Sequence, residues 1–481
     1  MSQNLKERTT RALIWGSIDK IFTQLCYAVT GVVLANILTS DDFGLMAIIG
    51  VFIAFVNIFI DSGFSLALVQ KKHTNRKDYS TVFFFNIALS TAIYVILYFC
   101  APLIADYFGN EKLVLLSRVM FLNVFFVSFG LVQSSMLMKQ MNVKKQTSIN
   151  VISLFVCSIL ALYMALHNFG VWALVAQALV YSFVRTLLLW VSNRWIPLLV
   201  FSKESFKNIF SVGSHLLLTS FVRTLFQNIY TLIIGRKYSL SDLGYYNQAD
   251  KWSKMGTMAL TQTMGAAAFP ALSSIQDDEE RMRNVFRKMN RMTSYVCFPA
   301  FIWLIVMAEP VFHCFFGTKW DLSIIFFQLL VVKGILFTYI SLLNNYIMAT
   351  GKTRIIFRLE VIKDTMAIVG IVITLPISIY ALVVGQVIIE SIHHMLTVFF
   401  TSRRTGYSVK NQLWDVFPYL AISISICPVL FFLDQYIENS YILVVTQSIT
   451  AILLYVCINR LLKSKIQQEI FQFIRKRFRS A

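Results

Sequence analysis

The chain has 481 residues, of which 57% are hydrophobic and only 14% are Asp, Glu, Lys or Arg, and its formal net charge is +19. No soluble domain of this length could hide so much apolar surface in one core, so the bilayer must be the main solvent. The positive charge does not point to nucleic acid, because most Lys and Arg sit in short clusters between apolar runs, where they serve as topology signals and anionic-lipid contacts.

The N-terminus is basic, but the first apolar stretch contains Asp19 and Lys20 and runs too long for a signal peptide, so it is read as a span. A span needs about 20 largely apolar residues. Such stretches lie near 12–38, 43–68, 79–104, 113–138, 147–166, 171–191 and 209–234, then near 243–272, 292–307, 322–348, 355–375, 379–400, 416–433 and 441–458. The fold class predicted is all-α integral membrane, with about 14 transmembrane helices. Alternate loops are basic. Lys71, Lys72, Arg76 and Lys77 follow the second span, Lys139, Lys144 and Lys145 the fourth, and Arg281, Arg283, Arg287, Lys288 and Arg291 the eighth. About 31 cations fall on the side of both termini and about 4 on the other, which predicts that both ends are cytoplasmic.

An internal repeat is visible. The first span exits through Leu34-Ala35-Asn36-Ile37-Leu38-Thr39-Ser40-Asp41-Asp42-Phe43-Gly44, and 200 residues later the seventh exits through Ile234-Gly235-Arg236-Lys237-Tyr238-Ser239-Leu240-Ser241-Asp242-Leu243-Gly244. An even number of spans separates the copies, so both have the same membrane orientation and are related by an axis along the membrane normal. This predicts two pseudo-symmetric six-helix lobes, residues 1–200 and 201–408, with a cavity between them. Two additional helices in 409–462 and a basic amphipathic cytoplasmic tail in 463–481 complete the chain. Transporters built this way alternate access by rocking one lobe against the other.

The remaining cations fall inside spans: Lys20, Arg118, Arg185, Arg223, Lys251, Lys254, Lys333 and Lys363. A charge near the bilayer centre costs at least about 2.5–3.5 kcal/mol, so each should face a cavity or a partner. On the seventh span His215, Thr219, Arg223, Gln227 and Thr231 recur at every fourth position and form a polar stripe, read as water-lining; interhelical hydrogen bonding is the alternative. Its repeat partner, the first span, carries Asp19, Lys20 and Gln24, and Asp61 on the second span sits one turn after Asn57. Lys251 and Lys254 are read as an anion contact or as snorkelling interfacial residues. Arg118, Arg185 and Lys333 lack an acid within four residues, which calls for a distant partner or an anionic ligand. Arg358, Glu360, Lys363 and Asp364 open the eleventh span, and Glu390, His393 and His394 lie on the twelfth; these can neutralise one another on their own helices. If an ion is coupled to transport, Asp19, Asp61 and Glu390 are the acids to test.

Enzymatic motifs are lacking. Gly351-Lys352-Thr353 looks like the end of a phosphate-binding loop, but Tyr346 stands where that motif needs Gly. There is no zinc-protease pattern and no nucleophile elbow, and the outer loops are short. The seven cysteines are scattered without metal-ligand or redox spacing. No metal, cofactor or nucleic acid is implied. The segment from Lys463 to Arg479 mixes Ile466, Ile470, Phe471 and Ile474 with Arg475, Lys476, Arg477 and Arg479, the pattern of an amphipathic helix on an anionic leaflet.

Four segments carry a family resemblance: Ala12-Leu13-Ile14-Trp15-Gly16-Ser17, the exit Leu34 to Gly44, the run Asp61-Ser62-Gly63-Phe64-Ser65-Leu66-Ala67-Leu68-Val69-Gln70-Lys71-Lys72, and Leu243-Gly244-Tyr245-Tyr246. Through them the chain resembles the polysaccharide-transporter branch, with its Wzx-type flippases, of the multidrug/oligosaccharidyl-lipid/polysaccharide exporter superfamily. The resemblance implies two six-helix lobes, two extra C-terminal helices and an undecaprenyl-pyrophosphate-linked oligosaccharide as cargo. It also implies a bacterial inner-membrane location and a monomer working beside a polysaccharide polymerase and export machinery. A cationic central cavity would hold the pyrophosphate, with Lys20, Arg223, Lys251 and Lys254 as the nearest candidates. The rival readings are a cation-coupled drug exporter of the same fold, disfavoured by the cation excess, and a membrane-embedded polymerase or glycosyltransferase, disfavoured by the short loops.

Overall fold

The computed structural model describes the backbone of residues 2–61, 64–71 and 74–479, with their side chains apart from those of 2–14, 17, 66, 205, 208–216, 266–267, 404–405, 473–474 and 476–479. Every regular element among the described residues is helical. Helices α1 (Ser2–Ile37), α2 (Ser40–Asp61) and α3 (Phe64–Gln70) cover the first two expected spans, and α4 (Arg76–Phe108) covers the third. The fourth is α5 (Lys112–Met120) and α6 (Asn123–Lys139), interrupted at Phe121 and Leu122. Next come α7 (Val143–Leu166), α8 (Trp172–Asn193), α9 (Lys203–Lys237), α10 (Leu240–Ser273) and α11 (Glu279–Val306). A short α12 (Ala308–Phe316) precedes α13 (Asp321–Ala349), α14 (Thr353–Thr374), α15 (Ile379–Thr405), α16 (Val409–Asp434) and α17 (Ser440–Leu461), and α18 (Lys465–Arg479) forms the tail.

Among the described residues twelve helical stretches are long and apolar enough to cross a membrane. The expected spans outside that set are α10 and α14, which have 34 and 22 residues and so reach about 30 Å or more at 1.5 Å per residue. Their length suffices, but Asp250, Lys251 and Lys254 on α10 and Arg358, Glu360, Lys363 and Asp364 on α14 lower their apolarity. Most of these are charges that stand out in the sequence.

Local chemistry sets the helix ends. Asp278, Ser378 and Asn439 accept from the backbone N–H groups of Arg281, Ala381 and Tyr441 at 2.9, 3.1 and 3.0 Å, each supplying an acceptor that a first turn lacks. Helix α4 stops at Gly109, whose φ of 68° lets its N–H turn back to Ala105 and Asp106. Loop cations close other ends. The Lys139 ammonium donates to the carbonyls of Leu68 and Lys71 at 3.2 and 2.5 Å, and Lys145 donates to that of Ser192. Some of the topology charge is therefore also helix-capping charge.

The chain divides into two compact units, Met1–Asn247 and Gln248–Ala481. In the first, Val56, Ile60, Phe64, Leu68, Tyr79, Val82, Phe83, Val124 and Val132 form one core joining α2, α3, α4 and α6, with Trp195 packed beside it. In the second, Phe286, Leu342, Leu343, Tyr346 and Tyr407 join α11, α13 and the α15–α16 turn. The sequence boundary at 200/201 falls in the link between α8 and α9, yet α9 packs on α2, α3 and α4.

The repeat is written into the helix pairing. In the first unit α4 pairs with α6, α6 with α8 and α7 with α8; in the second α11 pairs with α13, α13 with α15 and α14 with α15. These are the same pairings, six spans later. Small residues permit them: a Cβ on Gly130 of α6 would meet Thr186 Oγ1 of α8 at 2.8 Å, and one on Gly370 of α14 would meet Ile389 Cδ1 of α15 at 2.6 Å.

The two repeated turns themselves touch within the first unit. A Cβ on Gly44 would lie 2.2 Å from the Leu240 carbonyl oxygen, and one on Gly244 would lie 2.0 Å from that of Ser40. Each glycine thus admits the backbone that precedes the other's helix. The turns also have the same internal hydrogen bonds: Thr39 Oγ1 donates to Asp42 at 2.9 Å and Ser239 Oγ to Asp242 at 2.7 Å. Across the crossing, Ser241 Oγ donates to Asp41 at 2.5 Å.

Candidate functional site

Charged and polar side chains within the spans fall into three groups, those tied to a neighbouring helix, those paired along their own helix and those facing outward. On α1, Asp19 accepts from the Asn150 amide of α7 at 3.3 and 3.5 Å. The Asn150 carbonyl oxygen in turn accepts from Arg185 Nε of α8 at 3.0 Å, and Arg185 Nη2 donates to Ser134 Oγ of α6 at 3.2 Å. Arg185 has the distant partner its sequence context demands, and Asp19 is bound to it through an amide rather than to its neighbour Lys20. Lys20 itself is exposed. Arg118 donates to the Tyr98 carbonyl at 3.4 Å and lies 4.2 Å from the centre of the Tyr98 ring, which holds it to α4. Asp61 is exposed at the end of α2.

Helix α9 is held on α2 by Phe221, whose ring centre is 5.2 Å from that of Phe55 and 6.2 Å from that of Phe59. Arg223 is two residues on, about 200° around the helix from that contact. Thr219, Arg223 and Gln227 are exposed, whereas Thr231 is buried. His215, the first member of the stripe, has a side chain outside the described residues. Exposure has a different meaning here from that in a soluble protein: an Arg turned away from its packing face inside a membrane span needs water or an anion beside it.

In the second unit Lys254 pairs with Asp250 at 2.6 Å, one turn back on α10, which accounts for half of the Lys251 and Lys254 pair. Lys251 is exposed, with its ammonium 5.7 Å from the Trp252 ring centre. Lys333 on α13 donates to Gln386 Oε1 on α15 at 3.0 Å. One turn further along α15, Glu390 is buried with Oε1 3.7 Å from His393 Nδ1. Lys363 on α14 pairs with Glu360 and lies 3.5 Å from Asp364. Among the described residues no carboxylate is paired with Arg223 or Lys251, and no group of three His, Cys, Asp or Glu side chains is placed to hold a metal ion.

One cluster has no counterpart in the sequence reading. Asp415 of α16 is buried and accepts from Arg287 Nη2 at 3.2 Å, from Arg291 Nε at 2.8 Å and from the Tyr407 hydroxyl at 2.7 Å. Arg287 and Arg291 read as loop cations in the sequence, and only the fold reveals that they clamp α16 to α11. The other omissions, Asn150, Ser134 and Gln386, are neutral residues on separate helices and carry no local signal. Asp250 does carry one, since it precedes Lys254 by four.

Residues 33–325 match the polysaccharide biosynthesis protein family. The chain belongs to that family. The sequence is similar to the lipopolysaccharide biosynthesis protein WzxC of Escherichia coli K12, at 28% identity over 77% of this chain and 76% of that one. It is also similar to the teichuronic acid biosynthesis protein TuaB of Bacillus subtilis 168, at 26% over 71% of each, and to the succinoglycan biosynthesis transport protein ExoT of Rhizobium meliloti 1021, at 26% over 72% and 70%. Among solved structures it is similar to the lipid II flippase MurJ in an inward closed conformation, with a TM-score of 0.76 and 14% identity over 94% of this chain and 98% of that one. It is similar as well to an inward-facing multidrug resistance MATE family transporter, with a TM-score of 0.62 and 15% identity over 82% and 98%. The resemblance to the polysaccharide-transporter branch is borne out, and so is the all-helical, multi-pass membrane fold.

Proposed function

We propose that this protein is a flippase that moves an undecaprenyl-pyrophosphate-linked oligosaccharide from the cytoplasmic to the periplasmic leaflet of a bacterial inner membrane. The observation that carries the reading is Arg223, exposed on a polar stripe of α9 and turned away from the α2 contact. A diphosphate is the anion that fits this position, while the prenyl tail stays in lipid. Lys20 in the same unit, and Lys251 in the second, are further candidates for head-group contact. Arg185, Arg118, Lys254 and Lys333 have protein partners; Arg185 and Arg118 contribute to the positive field, whereas Lys254 is neutralised by Asp250.

The family match and the names of WzxC, TuaB and ExoT support a polysaccharide precursor as cargo, and the MurJ-like fold suits a lipid-linked one. The repeat supports alternating access by rocking of one lobe against the other. An inside-negative potential favours outward movement of two negative charges by roughly 4–5 kcal/mol per 100 mV. Coupling to an ion is not required; if it occurs, Asp61 and Glu390 come before Asp19, which is already engaged by Asn150. The cation excess of the loops on one side supports a cytoplasmic location for both termini.

The MATE-like fold supports a second reading, export of lipophilic cations. Deleting the gene and extracting undecaprenyl-linked intermediates separates the two. A sugar-loaded carrier that accumulates, and is cleared by wild type but not by Arg223→Ala, is the expected result. Normal carrier pools with altered drug tolerance would replace the flippase reading by the exporter.

A further inference from the structure

Helix α18 starts a few residues after the membrane helix α17 ends. Its first turns are docked. Ile466 and Gln467 are buried, Ile470 packs with Tyr295, Phe298, Tyr339 and Tyr419, and Gln467 Nε2 donates to the Val456 carbonyl at 2.9 Å. Glu469 pairs with Lys288 of α11 at 2.5 Å. That pair matters for the charge of the tail, because Glu469 is the one acid between 463 and 481. With it turned to the protein, the outward charge of α18 is entirely cationic.

The other observation is apolar. Leu461, Leu462 and Phe471 are exposed at this end of the bundle, at 75%, 65% and 52%. Arg460, Lys463, Lys465 and Arg475 are exposed among them. By helical spacing Arg475 falls on the side opposite Ile466 and Ile470. Large apolar residues interleaved with unopposed cations, at the end of a membrane helix, suit the boundary between acyl chains and head groups.

We propose that α18 is a membrane-surface helix that binds anionic phospholipid head groups, held at the bundle end by Ile466, Ile470 and the Lys288–Glu469 pair. Phe471 and the two leucines enter the acyl boundary and the cations meet the phosphates. Because α18 is seated on α11 and α16, lipid binding also steadies the joint where Arg287 and Arg291 hold Asp415. The cytoplasmic location of the surface rests on the orientation proposed above; the preference for anionic lipid does not.

The test uses the full-length protein in nanodiscs of neutral phosphatidylcholine or of phosphatidylglycerol, read by hydrogen exchange of 463–479. Exchange is expected to slow by at least about five-fold in the anionic discs, the scale of a single basic residue near such a surface. High salt should remove the difference, and so should replacement of Arg475, Lys476, Arg477 and Arg479 by Gln. Exchange in α11 to α17 reports whether that variant is folded. Equal exchange in both lipids, or a lipid dependence that survives the four substitutions, overturns the proposal. Trypsin cleavage of the tail in inverted vesicles but not in right-side-out vesicles supports the cytoplasmic location; cleavage in right-side-out vesicles alone overturns the orientation and the siting of α18 with it, while leaving the flippase chemistry to its own test.

Discussion

Substituting Gly44 or Gly244 by Ala places a methyl group inside the backbone of the facing turn. The Cβ would sit 2.2 Å from the Leu240 carbonyl oxygen in one case and 2.0 Å from the Ser40 carbonyl oxygen in the other, against 3.4–4 Å for ordinary contact. Both obstacles are main chain, so no rotamer change relieves them, and the turns must part by more than an ångström. Overpacking of this kind costs typically about 1–3 kcal/mol. Separation also strains the Ser241 to Asp41 hydrogen bond. Because either methyl opens the same crossing, the second should cost less than the first, and the double variant should fall short of the sum of the two. Thermal unfolding of the purified protein in detergent, with Gly50→Ala as a control at a position with nothing within 4 Å, measures this. Single variants as stable as wild type, or strictly additive losses, would refute the crossed-turn reasoning.

Further predictions concern the polar ties. Asp415→Asn should destabilise by about 1–3 kcal/mol, because a buried acceptor of three donors loses its charge, and more than Arg287→Gln, whose side chain is partly in solvent; chemical denaturation in mild detergent checks both. Burial is the largest effect on Tyr407 and holds its phenol above the ordinary 10.0, despite the opposing hydrogen bond with Asn290. A raised folded pKa means that the stability tied to the neutral phenol is complete below the unfolded value and is lost as pH rises toward the folded one. Tyr407→Phe should therefore unfold at a temperature that drops less than wild type between about pH 9 and pH 11. Arg185→Gln should lower stability by releasing Asn150 and Asp19, whereas Arg223→Gln should leave the unfolding temperature unchanged and abolish clearance of the lipid-linked intermediate; the reverse pattern would exchange their roles.

The long apolar runs made the helices readable, since a bilayer leaves the backbone few alternatives. The helices at α10 and α14 are legible in the sequence although they lie outside the hydropathy set. The repeat Ile234 to Gly244 places a helix after it by analogy with Leu34 to Gly44, and the charges that lower its apolarity do not break its helical pattern. The partners of those charges were less legible. Lys254 and Asp250 are on one helix at a spacing that sequence reveals, whereas Arg185 meets Asn150 and Ser134 from two other helices. No periodicity encodes which neutral side chain will lie opposite a charge across a helix interface. The Asp415 cluster was hidden for a further reason: Arg287 and Arg291 sit in a run of cations whose topological meaning is sufficient by itself.

Burial and pairing divide the intramembrane cations by task. Arg185 spends its donors on Asn150 and Ser134, Arg118 on Tyr98, Lys333 on Gln386 and Lys254 on Asp250, so each is held in a fixed place without cargo. In the proposed function Arg118 and Arg185 supply a steady positive potential, since Lys254 is neutralised by Asp250. Arg223 is different, since it is exposed and turned away from the α2 contact of α9; in the proposed function a diphosphate would meet it without first breaking an ion pair among the described residues. An anion that must be released on the far side is better served by a few accessible cations in a positive field than by a fully built cage. A cage would bind the two leaflets' forms of the cargo equally and would slow its departure, because only a difference in affinity between states moves an equilibrium.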